Sequence, residues 1–296
     1  MSRVQELLES GVHFGHLKRK WHPKMAPYIF MERNGIHIID LHKTDAKLNE
    51  ACAALAQISK SGKKILFVAT KKQAKESVEK RVKNTNMPYV TERWPGGMLT
   101  NFATIRKAVR KMGAIDKMMT EESFTALSKR ERLQISRQRE KLEKNLGSIA
   151  DLNRLPAALF IVDIKREHIA VAEAKKLNIP TFAIVDTNSN PTLVDFPIPA
   201  NDDATKSIDK IMEIVIEAVT EGLSERKVER EKIAPAKDGE EKEDDSENKA
   251  VEKKKAPAAE KVASTKKTPA GVKVASTKVA PAAKEKKASK KEEAEA

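Results

Sequence analysis

Acidic and hydroxyl side chains end several of the apolar runs in this 296-residue chain. Asp40, Thr70, Asp163 and Asp186 each stand at or next to the carboxyl end of a run rich in Ile, Val, Leu or Phe. Ligands of open α/β sheets bind outside the carboxyl ends of the strands. Carboxylates at that edge could bind a metal ion or act as general acids and bases. One interpretation is therefore an α/β enzyme that binds a phosphorylated ligand near Thr70, Asp163 and Asp186.

The phosphate-binding loop that such an enzyme usually carries is missing from the sequence. Thr70-Lys-Lys-Gln-Ala follows the run at 65–69 and contains no glycine. The pair Gly96-Gly97 comes after Trp94-Pro95, an order typical of a turn. Aspartates after strands more often cap turns and helices. We therefore favour a protein that is not an enzyme and has no cofactor or small-molecule substrate.

Histidines and the cysteine are the remaining candidates for metal or nucleophile chemistry. His13 and His16 are three residues apart and could share a metal if their segment were helical, but Gly11 and Gly15 surround them. We expect hydrogen bonds within a loop, or contact with phosphate, and no metal site. Cys52 is the only cysteine, and we expect it to be buried and inert. The lone thiol, with no signal-peptide pattern and no membrane-spanning apolar run, favours a cytoplasmic protein with no membrane partner.

Short apolar runs and helical periodicities alternate along the chain. Three of the runs are rich in Ile and Val without alternation, which is typical of parallel strands covered by helices on both faces. The pattern predicts a doubly wound, flavodoxin-like α/β fold with a five-stranded parallel sheet. The predicted strands are Ile36 to Asp40, Ile65 to Ala69, Pro88 to Val90, Ala158 to Asp163 and Thr181 to Asp186. The predicted helices are Asp45 to Ser59, Gln73 to Lys83, Glu167 to Leu177 and Ala204 to Glu221.

The segment 102–152 departs from this pattern because it has helical spacing and no strand signal. Two helices joined at Thr120 to Thr125 would form an antiparallel, coiled-coil-like hairpin that protrudes from the sheet domain. The sequence therefore predicts an α/β domain made of residues 1–101 and 153–232, with the hairpin at 102–152 as an insertion. Residues 233–296 are dominated by Lys, Glu, Ala and Pro and contain no aromatic side chain, so we expect a disordered tail.

The charge of the chain indicates a polyanionic partner. The formal net charge is +14, and the tail from Ala234 is nearly balanced, with 16 Lys and 13 Asp or Glu. Most of the excess therefore lies in the part predicted to fold, and nucleic acid is the first candidate partner. A solvated, solubilising surface is the alternative.

The candidate RNA-binding residues combine cations with planar rings. Cations bind phosphates and release counterions, and rings can stack on unpaired bases. Trp21 could equally anchor its own loop, and the cations of the hairpin could equally form a solvated helical face. The lysines at 71–75 begin a helix, where backbone N–H groups also favour phosphate. The candidates are His16, Lys18, Arg19, Lys20, Trp21, His22, Lys24, Lys71, Lys72, Lys75, Arg93, Arg106 and Arg110.

Blocks of sequence resemble the ribosomal protein S2 family of bacterial type and occur in the family's order. They include Leu8-Glu-Ser-Gly-Val-His-Phe-Gly-His, Trp21-His-Pro-Lys-Met-Ala-Pro-Tyr, Arg93-Trp-Pro-Gly-Gly-Met-Leu-Thr-Asn and Val194-Asp-Phe-Pro-Ile-Pro-Ala-Asn-Asp-Asp. They span essentially Val4 to Glu221. His22 stands where the family pattern has Asn, and the tail is longer than is usual in the family.

The resemblance implies an α/β domain with a helical hairpin and a place on the small ribosomal subunit. The implied partners are small-subunit rRNA and neighbouring ribosomal proteins, including the large mRNA-capturing first protein of the subunit. The expected function is that of a structural constituent that supports subunit assembly and translation. A free RNA-binding regulator is the remaining alternative besides the enzyme.

Overall fold

The computed structural model of the chain describes residues 2–121, 124 and 126–233. Of residues 231–233 it describes only the backbone. These residues belong to one compact unit, residues 1–241, while a second unit, 242–296, lies outside the described part. The predicted disordered tail after Ile233 therefore also lies outside it. Over the described residues, each helix is too short or too polar to cross a bilayer.

The first strands form a small antiparallel sheet. After helix α1 (Arg3–Glu9), strands β1 (Phe14–Leu17), β2 (Ile29–Arg33) and β3 (Ile36–Ile39) pair in the order β1–β3–β2. Asn34 and Gly35 have positive φ and form the tight turn between β2 and β3, as Asn-Gly pairs do in two-residue hairpins. The prediction that Ile36 to Asp40 belongs to the parallel sheet is therefore wrong, because this strand pairs with its neighbours in sequence.

A five-stranded parallel sheet forms the centre of the fold. Its strands are β4 (Ile65–Val68), β5 (Tyr89–Val90), β6 (Ala158–Val162), β7 (Thr181–Val185) and β8 (Phe196–Pro199), in the order β5–β4–β6–β7–β8. This is the flavodoxin-like strand order, so the predicted fold class is confirmed. Strand β8 was not predicted, since Pro197 and Pro199 lack N–H donors; prolines are tolerated here because β8 lies at the edge of the sheet.

Helices cover both faces of this sheet. They are α2 (Leu41–Lys60), α3 (Lys72–Lys83), α4 (Phe102–Thr120), α5 (Lys129–Leu146), α6 (His168–Lys176) and α7 (Thr205–Ile233). Helices α2, α3 and α7 bury their apolar stripes with Phe67, Phe160 and Phe182 of the strands. Helices α4, α5 and α6 pack on the opposite face, against side chains such as Leu66 and Leu159. Because neighbouring residues of a strand point to opposite faces, each strand contributes to both cores.

Helices α4 and α5 pack against each other as the predicted antiparallel pair. The Arg139 guanidinium of α5 contacts Asp116 of α4, with 2.7 Å between Nε and Oδ1. Near the start of α4, Nη1 of Arg106 donates to the carbonyl oxygen of Leu152 at 3.0 Å. Arg106, early in α4, thus contacts Leu152, which follows the end of α5, whereas Asp116, later in α4, contacts Arg139 in the middle of α5. The two helices therefore run in opposite directions. The predicted turn, Thr120 to Thr125, includes residues outside the described part.

Candidate functional site

The N-terminal segment lies across the carboxyl edge of the parallel sheet. The His16 N–H donates to Oγ1 of Thr187, and the His22 N–H donates to the Thr187 carbonyl oxygen, both at 2.8 Å. A Cβ on Gly15 would lie 2.6 Å from Cγ2 of Thr187 and 2.9 Å from the His37 carbonyl oxygen. Only glycine therefore lets this segment approach the loop after β7 so closely. The contact brings His16 beside the aspartates that end the strands.

Lys71 ends in a group of carboxylates at this edge. Its Nζ lies 2.8 Å from Oδ1 of Asp202, 2.6 Å from Oδ1 of Asp203 and 3.8 Å from Oδ2 of Asp163. The Lys71 residue is 8% exposed and Asp202 is fully buried. Its positive charge therefore compensates these carboxylates and is turned away from solvent.

His16 stands between two further aspartates. Its Nδ1 lies 2.9 Å from Oδ2 of Asp186, and its Nε2 lies 3.3 Å from Oδ2 of Asp203. One ligand atom each of His16, Asp186 and Asp202 falls within 4.8 Å of the others. Oδ2 of Asp202 is buried and accepts no hydrogen bond within the described chain. Since imidazole and carboxylate suit a divalent cation such as Zn²⁺, these three side chains could hold one. His13 is not part of this group.

Burial and charge shift several pKa values in this cluster. Burial, together with Asp186 and Asp163, raises the pKa of Asp202 to about 7. The hydrogen bond to Asp186 raises the pKa of His16 in spite of burial. Burial would lower the pKa of Lys71, but Asp202 and Asp203 outweigh it and raise the pKa. Burial would raise the pKa of Asp203, but Lys71 outweighs it and lowers the pKa, so the cluster has the electrostatics of an internal ion network.

The strand-end residues of the enzyme hypothesis mostly cap the chain that follows them. Oδ1 of Asp40 accepts from the His42 N–H at 3.0 Å, and Oδ1 of Asp163 accepts from Lys165 and Arg166 N–H at 3.0 and 3.2 Å. The Thr70 hydroxyl donates to the buried Glu167 carboxylate. Ahead of α7, Oδ1 of Asn201 accepts from the Asp203 and Ala204 N–H groups. Asn201 is therefore the residue that caps this turn, whereas Asp202 and Asp203 pair with Lys71.

The predicted RNA-binding residues divide by exposure. His16 and Lys71 point into the carboxylate cluster, and Lys75 and Arg106 are half-buried, with Nζ of Lys75 lying 3.1 Å from Glu92. His22 is half-buried and caps a 3₁₀ turn, since its Nδ1 accepts from the Lys24 N–H at 3.2 Å. The Trp21 ring lies 5.2 Å from that of His37 and stays 37% exposed. The exposed cations are Lys18, Arg19, Lys20, Lys24, Lys72, Arg93 and Arg110.

Arg93 is carried on a loop that is fixed by a side chain the sequence did not single out. Glu173 of α6, 8% exposed, accepts hydrogen bonds from the Gly97, Leu99 and Thr100 N–H groups at 2.8, 2.9 and 3.1 Å. Burial would raise the Glu173 pKa, but these N–H groups and the Trp94 indole outweigh it and lower the pKa. The signal in the sequence was a single Glu among the Ala and Val residues of α6.

Comparisons with known proteins place most of the described part in one group. A family described as "Ribosomal protein S2" matches residues 7–222. A small ribosomal subunit protein uS2 from Flavobacterium johnsoniae is 68% identical over 241 residues, 80% of this chain and 95% of its own. Proteins of the same name from Phocaeicola vulgatus and Bacteroides thetaiotaomicron are 68% and 65% identical, over 78% and 82% of this chain and 83% and 90% of their own.

Proposed function

The chain belongs to the ribosomal protein S2 family, and we propose that it serves as a structural constituent of the small ribosomal subunit, where it binds rRNA and supports subunit assembly and translation. It is a ribosomal component and not an enzyme. The similarity to proteins named small ribosomal subunit protein uS2 over four-fifths of the chain carries this conclusion. The carboxyl edge of the sheet agrees with it, because Asp40 and Asp163 cap the chain that follows them, Thr70 bonds to Glu167 and Asp186 pairs with His16.

The RNA-binding surface that we propose is centred on the basic segment, residues 18–24. Lys18, Arg19 and Lys20 form an exposed 3₁₀ turn, and its backbone is fixed to Thr187 by the neighbouring hydrogen bonds. Cations on a rigid backbone can bind phosphates with little loss of conformational entropy. The exposed ring of Trp21 stands next to them for stacking on an unpaired base. The proposed surface extends to the exposed cations Lys24, Lys72, Arg93 and Arg110. It is supported by the half-buried residues His22, Lys75 and Arg106. His16 and Lys71 contribute indirectly, through their contacts in the carboxylate cluster.

Sedimentation and RNA affinity test this proposal. Tagged full-length protein should sediment with the small subunit at moderate salt and leave it only at high salt. The variant Lys18→Gln/Arg19→Gln/Lys20→Gln should bind small-subunit rRNA more weakly, with the slope of log K against log salt reduced by about two to three. The control Lys165→Gln/Lys175→Gln/Lys176→Gln removes equal charge from exposed positions elsewhere. Wild-type protein that sediments free of rRNA would contradict the ribosomal function itself.

A protein neighbour is proposed for the small antiparallel sheet. Phe30 is 70% exposed and Met31 is 49% exposed on β2, and Phe14 on β1 is 48% exposed. Three large apolar side chains exposed on one small sheet are consistent with a protein-binding surface. We assign it to a neighbouring small-subunit protein, with the mRNA-capturing first protein of the subunit as the specific candidate. Phe30→Ser should release that protein from purified subunits while rRNA binding stays unchanged; its retention would exclude this surface.

The domain division predicted from the sequence also stays a proposal. We propose that residues 102–152 form an inserted hairpin in an α/β domain made of residues 1–101 and 153–232. The pairing of Asp116 with Arg139 within the hairpin supports it, and Phe102 and Ile105 attach its base to the second core. Replacement of residues 107–144 by a short Gly/Ser linker should leave a folded α/β domain, which circular dichroism and thermal unfolding would detect.

A further inference from the structure

The opposite edge of the parallel sheet carries a second basic surface. Strands β4, β5 and β6 begin at this edge, and α7 runs back to it from the carboxyl edge along its 29 residues. Between α7 and the residues that precede β4 and β5 lies a groove with a volume of about 480 Å³. We call it the amino-edge groove, and its lining residues are Lys64, Asn84, Thr85, Asn86, Thr220, Leu223, Ser224, Arg226, Lys227 and Arg230.

All charged residues that line the amino-edge groove are positively charged. Four of its residues are cations, no carboxylate lines it, and the others are amides, hydroxyls and one leucine. Arg226, Lys227 and Arg230 form no salt bridge with any described residue. The nearby acids Glu225 and Glu229 are used elsewhere, since they pair with Nζ of Lys60 at 3.2 and 2.8 Å. The positive charge of the groove is therefore not compensated within the described part of the chain.

The guanidinium of Arg226 lies in space left open by a glycine. Gly62 follows the end of α2 and has a φ of +74°, and a Cβ at this position would overlap the guanidinium group of Arg226. The guanidinium thus packs against the bare Cα of Gly62. A planar guanidinium presents several N–H donors in a fork, an arrangement suited to phosphate oxygens.

We propose that the amino-edge groove binds the phosphate backbone of small-subunit rRNA, which rests on the ribosomal function proposed above. Arg226, Lys227 and Arg230 neutralise the phosphates, and the amides of Asn84 and Asn86 with the hydroxyls of Thr220 and Ser224 supply polar contacts to phosphate or ribose. The basic segment, residues 18–24, lies at the other edge of the sheet, so the two surfaces contact different stretches of RNA. The domain then joins two RNA segments across its sheet.

The test compares full-length variants in binding to small-subunit rRNA over a range of salt concentrations. Arg226→Gln/Lys227→Gln/Arg230→Gln should lower the affinity by about tenfold and the salt slope by about two to three. The control Lys165→Gln/Lys175→Gln/Lys176→Gln should change both far less. Combining the groove substitutions with Lys18→Gln/Arg19→Gln/Lys20→Gln should add the two losses, because the surfaces bind separate RNA segments.

A second variant keeps the charge and fills the space that the Arg226 guanidinium occupies; since Gly62 has a positive φ, it also strains the backbone, so its fold is checked alongside. Gly62→Ala should displace Arg226 and weaken rRNA binding severalfold, while circular dichroism shows a folded protein. Groove variants that bind like wild type, or no more weakly than the control, would overturn the proposal. So would normal rRNA affinity with poor subunit incorporation, which would assign the groove to a protein neighbour. If the groove variants bind rRNA normally while the variant at residues 18–20 binds it weakly, the proposal for the groove is wrong and the proposed ribosomal function is supported.

Discussion

The indole of Trp94 donates a hydrogen bond from Nε1 to Oε1 of Glu173, at 3.2 Å. This bond joins the loop after β5 to helix α6, 79 residues further along the chain. The same carboxylate accepts hydrogen bonds from the backbone N–H groups of Gly97, Leu99 and Thr100. A buried carboxylate is tolerated here because its oxygens are satisfied by donors of the loop. Glu173 therefore shapes the loop that presents Arg93.

Substitution of Glu173 should destabilise the protein. In Glu173→Gln, one oxygen becomes an NH₂ group that faces N–H donors, so at least two hydrogen bonds are lost in a buried place. We expect the free energy of unfolding in urea to fall by about 2 kcal/mol. Glu79→Gln is the control, because Glu79 pairs with Lys83 on the exposed surface of α3 and should change stability by less than about 0.5 kcal/mol. Equal effects in both variants would refute the anchoring role.

Glu173 also predicts a dependence of stability on pH. The loop donors hold its pKa below the ordinary value in the folded state, against the effect of burial. Its contribution is therefore complete above the unfolded pKa of about 4.3 and is lost as the pH falls through the lower, folded pKa. The stability difference between wild type and Glu173→Gln should shrink over that acidic range. A difference that grows on acidification would contradict the direction of this shift.

Lys71 and Lys72 are adjacent in the sequence, but substitution of Lys71 should affect stability and substitution of Lys72 should affect rRNA binding. Lys71 is buried among Asp202, Asp203 and Asp163, whereas Lys72 is exposed at the start of α3. Lys71→Gln leaves buried carboxylates uncompensated and should lower stability by about 3 to 5 kcal/mol. Lys72→Gln should leave stability unchanged and lower the salt slope of rRNA binding by about one. Chemical unfolding and rRNA binding of both variants decide this, and a stable Lys71→Gln protein would show that the ion cluster is dispensable.

The sequence predicted the parallel strands because Ile, Val and Phe runs buried on both faces have a distinctive composition. It misplaced Ile36 to Asp40, although Asn34-Gly35 between two short apolar segments was the available hairpin signal. The partners of Lys71 could not be predicted. Asp202 and Asp203 lie more than 130 residues away and meet it only because the ends of β4 and β8 share one edge of the sheet. Contacts of this kind follow from topology and leave no local pattern.

Cys52 is half-buried, where the sequence predicted a buried thiol, and it should still be unreactive in the folded protein. Burial raises the pKa of its thiol to about 11, and Sγ lies 4.0 Å from the Ile214 carbonyl oxygen of α7. At about pH 8, roughly one thiol in a thousand is then ionised, and the thiolate is the reactive form. A disulfide reagent such as DTNB should label the native protein at least about a hundredfold more slowly than the protein in guanidinium. Rapid labelling of the native state would show that α2 and α7 separate readily.

Substitution by alanine should have opposite effects on stability at two helical glycines, Gly222 and Gly113. The reason is that only Gly222 lies where α7 packs on α2. Gly222 of α7 is buried, and a Cβ there would overlap the Ala56 carbonyl oxygen of α2 and lie 3.1 Å from Cβ of Ser59. Gly113 lies in α4, where an added Cβ would meet nothing within 4 Å. Both substitutions to Ala gain helix propensity, so Gly113→Ala should stabilise the protein by about 0.5 to 1 kcal/mol.

At Gly222 the steric cost should exceed that gain. The overlap involves backbone atoms, which cannot move away as the end of a flexible side chain can, and overpacking of this kind costs about 1 to 3 kcal/mol. Gly222→Ala should therefore lower the thermal unfolding midpoint while Gly113→Ala raises it. Because α7 also carries Arg226, Lys227 and Arg230 to the amino-edge groove, a shift of this helix should weaken rRNA binding as well. If Gly222→Ala stabilises the protein as much as Gly113→Ala, the two helices are not in such close contact, and the positions assigned to the groove cations would have to be revised.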